Sequence, residues 1–576
     1  MKERDENMKK PIIEFKDFTF RYKTQANPTL HDINLTIYEG EKVLILGPSG
    51  SGKSTLSNCV NGLIPFSEKG EIKGSLKVDG IETKEASLFK LSKIVGTVLQ
   101  DSDAQFVGLS VGEDIAFALE NENMPRSEML PKVEGAARVV GMEDFLEHLP
   151  YSLSGGQKQK VALAGVMHDK VKVLIFDEPL AALDPHMGMV AVDLIDRICR
   201  EQNRTALIIE HRLEDVLYRP VDRVILMAEG RIVADMEPEE LLRSELLKQY
   251  GIREPLYLTA MKYAGCSLEK EQKLSDPEKL ELTEENRRRL EKFFRETAMT
   301  YEPKMGDPLI EVEQVSFAYD EAEVLKNVDC TIRKGEKLAL IGKNGAGKTT
   351  LARLICGVNR PTKGRILIQG EDYTALSIKE IGERIGYVMQ NPNQMLVKDI
   401  IRDEIEMALK LRGYSAKEVE NRTKRALEMC DLYSMRNWPV SSVSYGQRKR
   451  ITIAAVLALE PDVMILDEPT AGQDYRHYVE IIDFINELNE KYGKTIVLIT
   501  HDMHLAIENT DRAIVFAEGE MIADDKVFKV LSDDKVIQEA SLKQTSLYTL
   551  ACRIGVPPEE FISHFISYER MVNASE

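Results

Sequence analysis

Short, almost wholly apolar runs punctuate the chain, among them Val43 to Leu46, Val173 to Phe176, Leu338 to Ile341 and Val463 to Leu466. Runs of this length without polar alternation predict strands buried on both faces. Two of them lead into glycine-rich turns that open helices, and two end in a pair of acids, so the pattern predicts an α/β fold. Helical spacing appears elsewhere. Thr283, followed by Glu284 and Glu285, predicts a helix start, after which Leu290, Phe293 and Phe294 share one apolar face. Phe561, Ile562, Phe565 and Ile566 predict a helix near the C-terminus that covers its own domain.

This pattern occurs twice. Gln100 and Gln390, Ser154 and Ser444, Asp177 and Asp467, and His211 and His501 each stand 290 positions apart. Lys53 and Lys348 stand 295 apart, so the first half carries five extra residues, placed within Ile64 to Gly74 as a longer loop. The register continues through Asp222 to Gly230 against Asp511 to Gly519, and through Leu256 and Tyr257 against Leu547 and Tyr548. The repeat predicts a first domain over 1–235 with a C-terminal appendage over 236–265. A charged, unrepeated insert over 266–307 follows and reads as a linker with one docked helix, a regulatory or partner-binding arm being the alternative. A second domain over 308–525 ends in a helical appendage over 526–576.

A chain of 576 residues is too long for one core, in keeping with this division. Its net charge of −19 and lack of a long Lys/Arg block argue against a nucleic-acid partner. No window of eighteen uncharged apolar residues occurs, and the first ten residues lack the apolar stretch of a signal peptide, so a soluble, non-secreted chain is expected. The seven cysteines are scattered singly, without zinc or redox spacing, and read as packing residues of a reducing compartment.

The candidate chemistry sits where the apolar runs end. Gly47, Ser49, Gly50, Ser51, Gly52, Lys53, Ser54 and Thr55 form one glycine-rich loop; Gly342, Asn344, Gly345, Ala346, Gly347, Lys348, Thr349 and Thr350 form the other. Such loops turn successive backbone N–H groups onto phosphate, the lysine adds charge, and the hydroxyl of Ser54 or Thr349 ligates Mg2+. In each half an apolar strand ends in an acidic pair, Asp177 with Glu178 and Asp467 with Glu468. The first acid of a pair suits the metal and the second suits the attacking water.

Leu153, Ser154, Gly155, Gly156 and Gln157 lie between loop and acids in the first half, with Ser444, Tyr445, Gly446 and Gln447 in register in the second. The order of aromatic, glycine-rich loop, Gln, this signature, acidic pair, Asp and His resembles the nucleotide-binding domains of ATP-binding cassette (ABC) proteins, over roughly 11–235 and 308–525. The resemblance implies a RecA-like core and a helical lobe in each half. It also implies ATP and Mg2+ as cofactors, and intramolecular pairing in which the loop of one half and the signature of the other share a nucleotide. Tyr22 and Tyr319 then match the adenine-stacking aromatics, and Gln100 and Gln390 the glutamine that meets metal or water. His211 and His501 match the γ-phosphate-sensing histidine, and Asp184 and Asp474 the aspartate that crosses between halves.

Ser110 to Asn121 and Gly156 to Gly165 further resemble the ATPases of energy-coupling-factor (ECF) importers, where this region receives a coupling helix. That likeness implies a transmembrane T-type scaffold and a small S-type substrate-binding membrane protein as partners, at the cytoplasmic face of the cell membrane. The implied cargo is a vitamin, a vitamin precursor, a metal ion or a similar micronutrient. Glu406 departs from Ala116 at the matching position, which fits two non-identical coupling helices. Tyr445 replaces a signature glycine, and Gln473 stands where the first half has Leu183, so unequal sites are expected. The weaker hydrolyser is the site of Lys53, Glu178 and His211 with the Ser444 signature; the stronger is that of Lys348, Glu468 and His501 with the Ser154 signature. A soluble tandem ABC ATPase acting on the ribosome is the alternative. Against it stand the acidic charge and the absence of Asn-His-Leu-Asp after the acidic pairs. A noncatalytic scaffold conflicts with intact lysines and carboxylates in both halves.

Overall fold

The computed structural model describes residues 10–99, 105–167, 171–181, 183–296, 306–320, 322–471 and 473–573. These form two compact units, one of residues up to 183 with 187–258 and 267–283, the other of 184–186, 259–266 and 284 onward.

In the first unit, β1 (Pro11–Tyr22), β2 (Leu30–Tyr38), β4 (Gly70–Val78) and β5 (Ile81–Glu82) make an antiparallel sheet of order β2-β1-β4-β5. A second sheet has the order β10-β9-β3-β8-β7-β6. It contains β3 (Lys42–Leu46), β6 (Val95–Val98), β7 (Val173–Asp177), β8 (Thr205–Ile209), β9 (Arg223–Ala228) and β10 (Arg231–Met236). All its pairings are parallel except that of the edge strand β10. The apolar runs that lack alternation are its central strands: every residue of β3 and β8 is buried, as a parallel sheet covered on both faces requires. The extra residues of this half fall in a short helix, Leu63–Phe66, and the start of β4.

The second unit repeats the plan. β12 (Ala322–Arg333), β11 (Pro308–Tyr319), β14 (Lys363–Ile368) and β15 (Glu371–Asp372) form the antiparallel sheet. The other sheet has the order β16-β17-β18-β13-β19-β20, from β13 (Lys337–Ile341), β16 (Ile385–Val388), β17 (Val463–Asp467), β18 (Thr495–Thr500), β19 (Arg512–Ala517) and β20 (Glu520–Lys526). One core lies between this sheet and the antiparallel one, including Val312, Leu340 and Ile465. A second core on the other face joins Met464 and Leu498 to helices Ile401–Leu411, Ala416–Met429 and Tyr445–Leu457. Each unit therefore carries an α/β core and a helical lobe.

The residues between the repeats divide between the units. In the first, Arg243 donates to the carbonyls of Leu268 and Glu271, and the Glu239 carboxylate accepts the N–H groups of Leu274 (3.0 Å) and Ser275 (2.9 Å), so 267–283 packs on that unit's C-terminal helices. In the second, helix Glu284–Glu296 docks on helices Ser546–Ile554 and Pro558–Asn573. Phe293 meets His564 and Tyr568 edge-on at 5.0 Å each, and Arg287 donates to the Arg553 carbonyl. Phe561, Ile562, Phe565 and Ile566 are all buried there. Phe561→Ala is expected to lower the stability of the second unit by about 3–5 kcal/mol, the cost of an emptied aromatic site. Urea titration followed by intrinsic fluorescence checks this.

Candidate functional site

The glycine-rich loops follow β3 and β13, the acidic pairs end β7 and β17, and His211 and His501 follow β8 and β18. In each unit these three neighbouring strands bring loop, acids and histidine to the C-terminal edge of the parallel sheet, where ligands of open α/β sheets bind.

In the first unit the helix after the loop spans Lys53–Val60, and in the second Lys348–Ile355. Gly47 (φ 151°) and Gly342 (φ 152°) start the loops in a conformation that favours glycine. A Cβ there would lie 2.2 Å from the Met227 carbonyl oxygen and 2.4 Å from that of Phe516, so the loop backbone presses directly on the strand beside it. Gly50, Gly52, Gly345 and Gly347 are also left-handed. Lys53 Nζ folds back on the carbonyls of Gly47 (2.8 Å) and Pro48 (2.9 Å). Lys348 Nζ does the same with Gly342 (2.7 Å) and Lys343 (2.8 Å). Burial pushes the Lys348 ammonium below its ordinary pKa, against the fields of Glu468, Asp467 and Asp184. Ser51 Oγ is buried without a hydrogen-bond partner, at the position Ala346 fills in the second unit. Ser49, Gly50, Asn344 and Gly345 are exposed at the loop tips, and Asn344 N–H donates to Asp184 within the second unit at 3.3 Å.

The Thr349 hydroxyl donates to Asp467 Oδ2 at 3.0 Å, and in the first unit Ser54 opposes the rise in the Asp177 pKa. A hydroxyl beside a carboxylate is a hard-oxygen donor set that fits Mg2+ completed by phosphate and water. Burial raises the pKa of both aspartates: Asp177 is pushed further by Glu178, while Tyr387 and Thr349 oppose the shift at Asp467.

Glu178 (φ 49°) and Glu468 (φ 45°) adopt the left-handed conformation, uncommon for a non-glycine residue, at the same point of each repeat. His211 Nε2 lies 3.0 Å from Glu178 Oε1, and His501 Nδ1 lies 2.7 Å from Glu468 Oε1. A glutamate and a histidine are thus brought together in both units, through opposite ring nitrogens.

Ser154 caps helix Gly155–Val166 and Ser444 caps helix Tyr445–Leu457, each in a reciprocal capping box with Gln157 or Gln447. Gly155 and Tyr445 are exposed on the first turn, and Gly156 and Gly446 are buried against the helices that start at Pro185 and Tyr475. The signatures are therefore helix N-termini whose free N–H groups suit anionic oxygen. Tyr22 packs edge-on against Phe20, its hydroxyl 3.2 Å from Thr55 Oγ1 and donating to Glu68 at 2.9 Å. Tyr319 packs against Phe317, is 43% exposed, and accepts from Asn359. Thr350 lies half-buried in the helix after the second loop. Gln390 is exposed just after β16; Gln100 lies outside the described residues.

Sequence reasoning missed two neighbours of the acids. Tyr387 OH donates to Asp467 Oδ2 at 2.7 Å, where the first unit has Thr97. Glu210 is buried beside Glu178, held by the N–H groups of Leu180 (3.0 Å) and His211 (2.9 Å), and burial raises its pKa. The second unit has Thr500 at that register. No periodicity signals Tyr387, which reads as an ordinary strand residue; Glu210 could have been found as a charge ending the apolar run of β8.

Comparison with known proteins places these motifs. The family described as ABC transporter matches residues 30–181 and 325–471, and one described as ATP-binding cassette cobalt transporter matches 244–317. An ABC transporter ATP-binding protein of Clostridium perfringens is 53% identical over 564 residues, 98% of this chain and 99% of its own. One of Enterococcus faecalis is 51% identical over 582 residues, 98% of this chain and 100% of its own. The solved structure of cbiO1 from Clostridium perfringens, part of the ABC transporter complex cbiONQ, is 32% identical and covers 40% of this chain and 94% of its own, with a TM-score of 0.38.

Proposed function

Because the chain belongs to the ATP-binding proteins of ABC transporters, with two ABC domains in tandem and the ATPase activity of that family, we propose that it is the motor of an ECF-type importer. It couples ATP hydrolysis to uptake of a micronutrient through a separate transmembrane scaffold and a small substrate-binding membrane protein. It works at the cytoplasmic face of the membrane. The observation that carries this reading is an apolar rim held out beside each Gln segment. In the first unit Asp114 accepts the N–H groups of Val107 (2.9 Å) and Gly108 (3.2 Å), and Glu113 that of Leu109 (2.9 Å). The loop so braced leaves Val107 62% and Leu109 78% exposed. Glu404 braces Val397 in the same way, leaving it 66% exposed. Carboxylates, two of them buried (Asp114 and Glu404), holding apolar side chains in water suit a surface that waits for a partner. The cobalt-transporter match over 244–317 favours a metal ion, cobalt foremost, within the micronutrient class. No helix among the described residues is long and apolar enough to cross a membrane, so the pathway belongs to other chains.

In this reading Lys348, the loop N–H groups and Thr349 hold the triphosphate. Glu468, oriented by His501, takes the proton of the attacking water. Lys53, Glu178 and His211 form the corresponding set of the first unit. Thr349 with Asp467, and Ser54 with Asp177, would hold Mg2+, which would supply charge neutralisation on the phosphates. The two arrangements are unequal. Tyr387 braces Asp467, whereas Glu178 faces the buried Glu210 carboxyl.

Affinity purification from detergent-solubilised membranes tests the assignment. Recovery of a multi-span scaffold with a small membrane protein is expected; a soluble protein sedimenting with ribosomes contradicts it.

A further inference from the structure

Lys449 lies in the second turn of helix Tyr445–Leu457 and is 1% exposed. Its Nζ donates to the backbone carbonyls of Met389 and Gln390, at 2.8 Å each. Both acceptors belong to the segment that leaves β16, so a side chain of the signature helix clasps the main chain of the Gln segment. Asp467 and Glu468 act on the ammonium only through their fields, which oppose a burial-driven fall of its pKa to about 8. A buried lysine is rare, and the two carbonyls are what replaces the water it gave up. Moving Met389 and Gln390 away while the helix stays would strand that ammonium, so the contact resists separate motion of segment and helix.

The other repeat has no lysine here. Gln159 occupies the matching position and donates to the Pro179 carbonyl, just past Asp177 and Glu178. The signature helix of the first unit is thus tied to the segment after the acidic pair, and that of the second to the Gln segment.

We propose that Lys449 is a positioning residue of the ATP site of Lys348 and Glu468, fixing the Gln390 segment to the signature helix so that Gln390 is preorganised for hydrolysis. The proposal rests on the reading of Gln390 as a site residue. The tether itself stands on geometry alone and has its own readout.

Lys449→Met keeps the apolar stem and removes the donors; Lys449→Arg keeps two donors for the same carbonyls. Hydrogen exchange measured by mass spectrometry on the full chain reads the tether. Peptides spanning 388–396 are expected to exchange about tenfold faster in Lys449→Met, while helix Tyr475–Glu490 exchanges as in the parent. Steady-state kinetics read the function: kcat is expected to fall about tenfold with the KM for ATP within about twofold, as for outer positioning groups elsewhere. Lys449→Arg should restore both readouts. Adding Lys449→Met to Glu468→Gln should cost nothing further, because both act on one site. Unchanged exchange over 388–396, or a rise spread equally over the unit, overturns the tether. Faster local exchange with unaltered kcat overturns the role given to Gln390 and leaves the motor assignment to the copurification test.

Discussion

Glu468→Gln is expected to lower ATP turnover of the whole chain about a hundredfold, whereas Glu178→Gln lowers it less than about threefold, the first figure being the usual worth of a positioned general base. Glutamine keeps the shape and a hydrogen-bond acceptor for His501 but cannot take the proton of the attacking water. The inequality follows from what surrounds the two carboxylates. Glu468 lies 2.7 Å from the His501 ring, beside an aspartate that receives both the Thr349 and Tyr387 hydroxyls. Glu178 has a longer contact of 3.0 Å to His211 and shares its surroundings with the buried Glu210 carboxyl. Steady-state phosphate release from the purified single variants measures the contrast, and equal losses would remove the asymmetry.

Lys348→Met is expected to produce the other large effect, this time on binding. Lys348 is 6% exposed, and its ammonium donates to the Gly342 and Lys343 carbonyls. Those contacts hold it inside the loop, ready to exchange carbonyl oxygens for phosphate oxygens. Losing a buried charge-assisted contact of this kind costs about 2–4 kcal/mol, or roughly 30- to 1000-fold in affinity at that site. Because methionine replaces a buried charge by an apolar chain of similar length, the unfolding midpoint should not fall. Calorimetric titration with ATP beside a urea titration separates the two effects. Glu468→Gln, by contrast, should bind ATP normally and hydrolyse it slowly.

The parts legible in the sequence are those whose chemistry dictates residue type at fixed spacing. The loops, acidic pairs and histidines could be read because each ends an apolar run whose strand lies at the centre of a parallel sheet, and because every motif recurs in register. The helix after Thr283 could be read from its cap and apolar face; what it packs against, Phe561 and His564, lies too far along the chain for any local pattern to show. Tyr387 reaches Asp467 only because β16 pairs with β17 in a register that sets Tyr387 beside Ile465. Lys449 sits between Arg448 and Arg450, a run that looks like a solvated basic face until the helix turns its middle member inward. Glu210 is invisible as a neighbour of Glu178 for the same reason: adjacent strands, not adjacent residues, bring them together.

One chain is expected to carry two nucleotide sites, both competent to bind and unequal in hydrolysis. The double variant Glu178→Gln, Glu468→Gln, titrated with radiolabelled ATP and Mg2+ under conditions that trap bound nucleotide, tests it most directly. Two ATP retained per chain is the predicted result; a single ATP at saturation would contradict it.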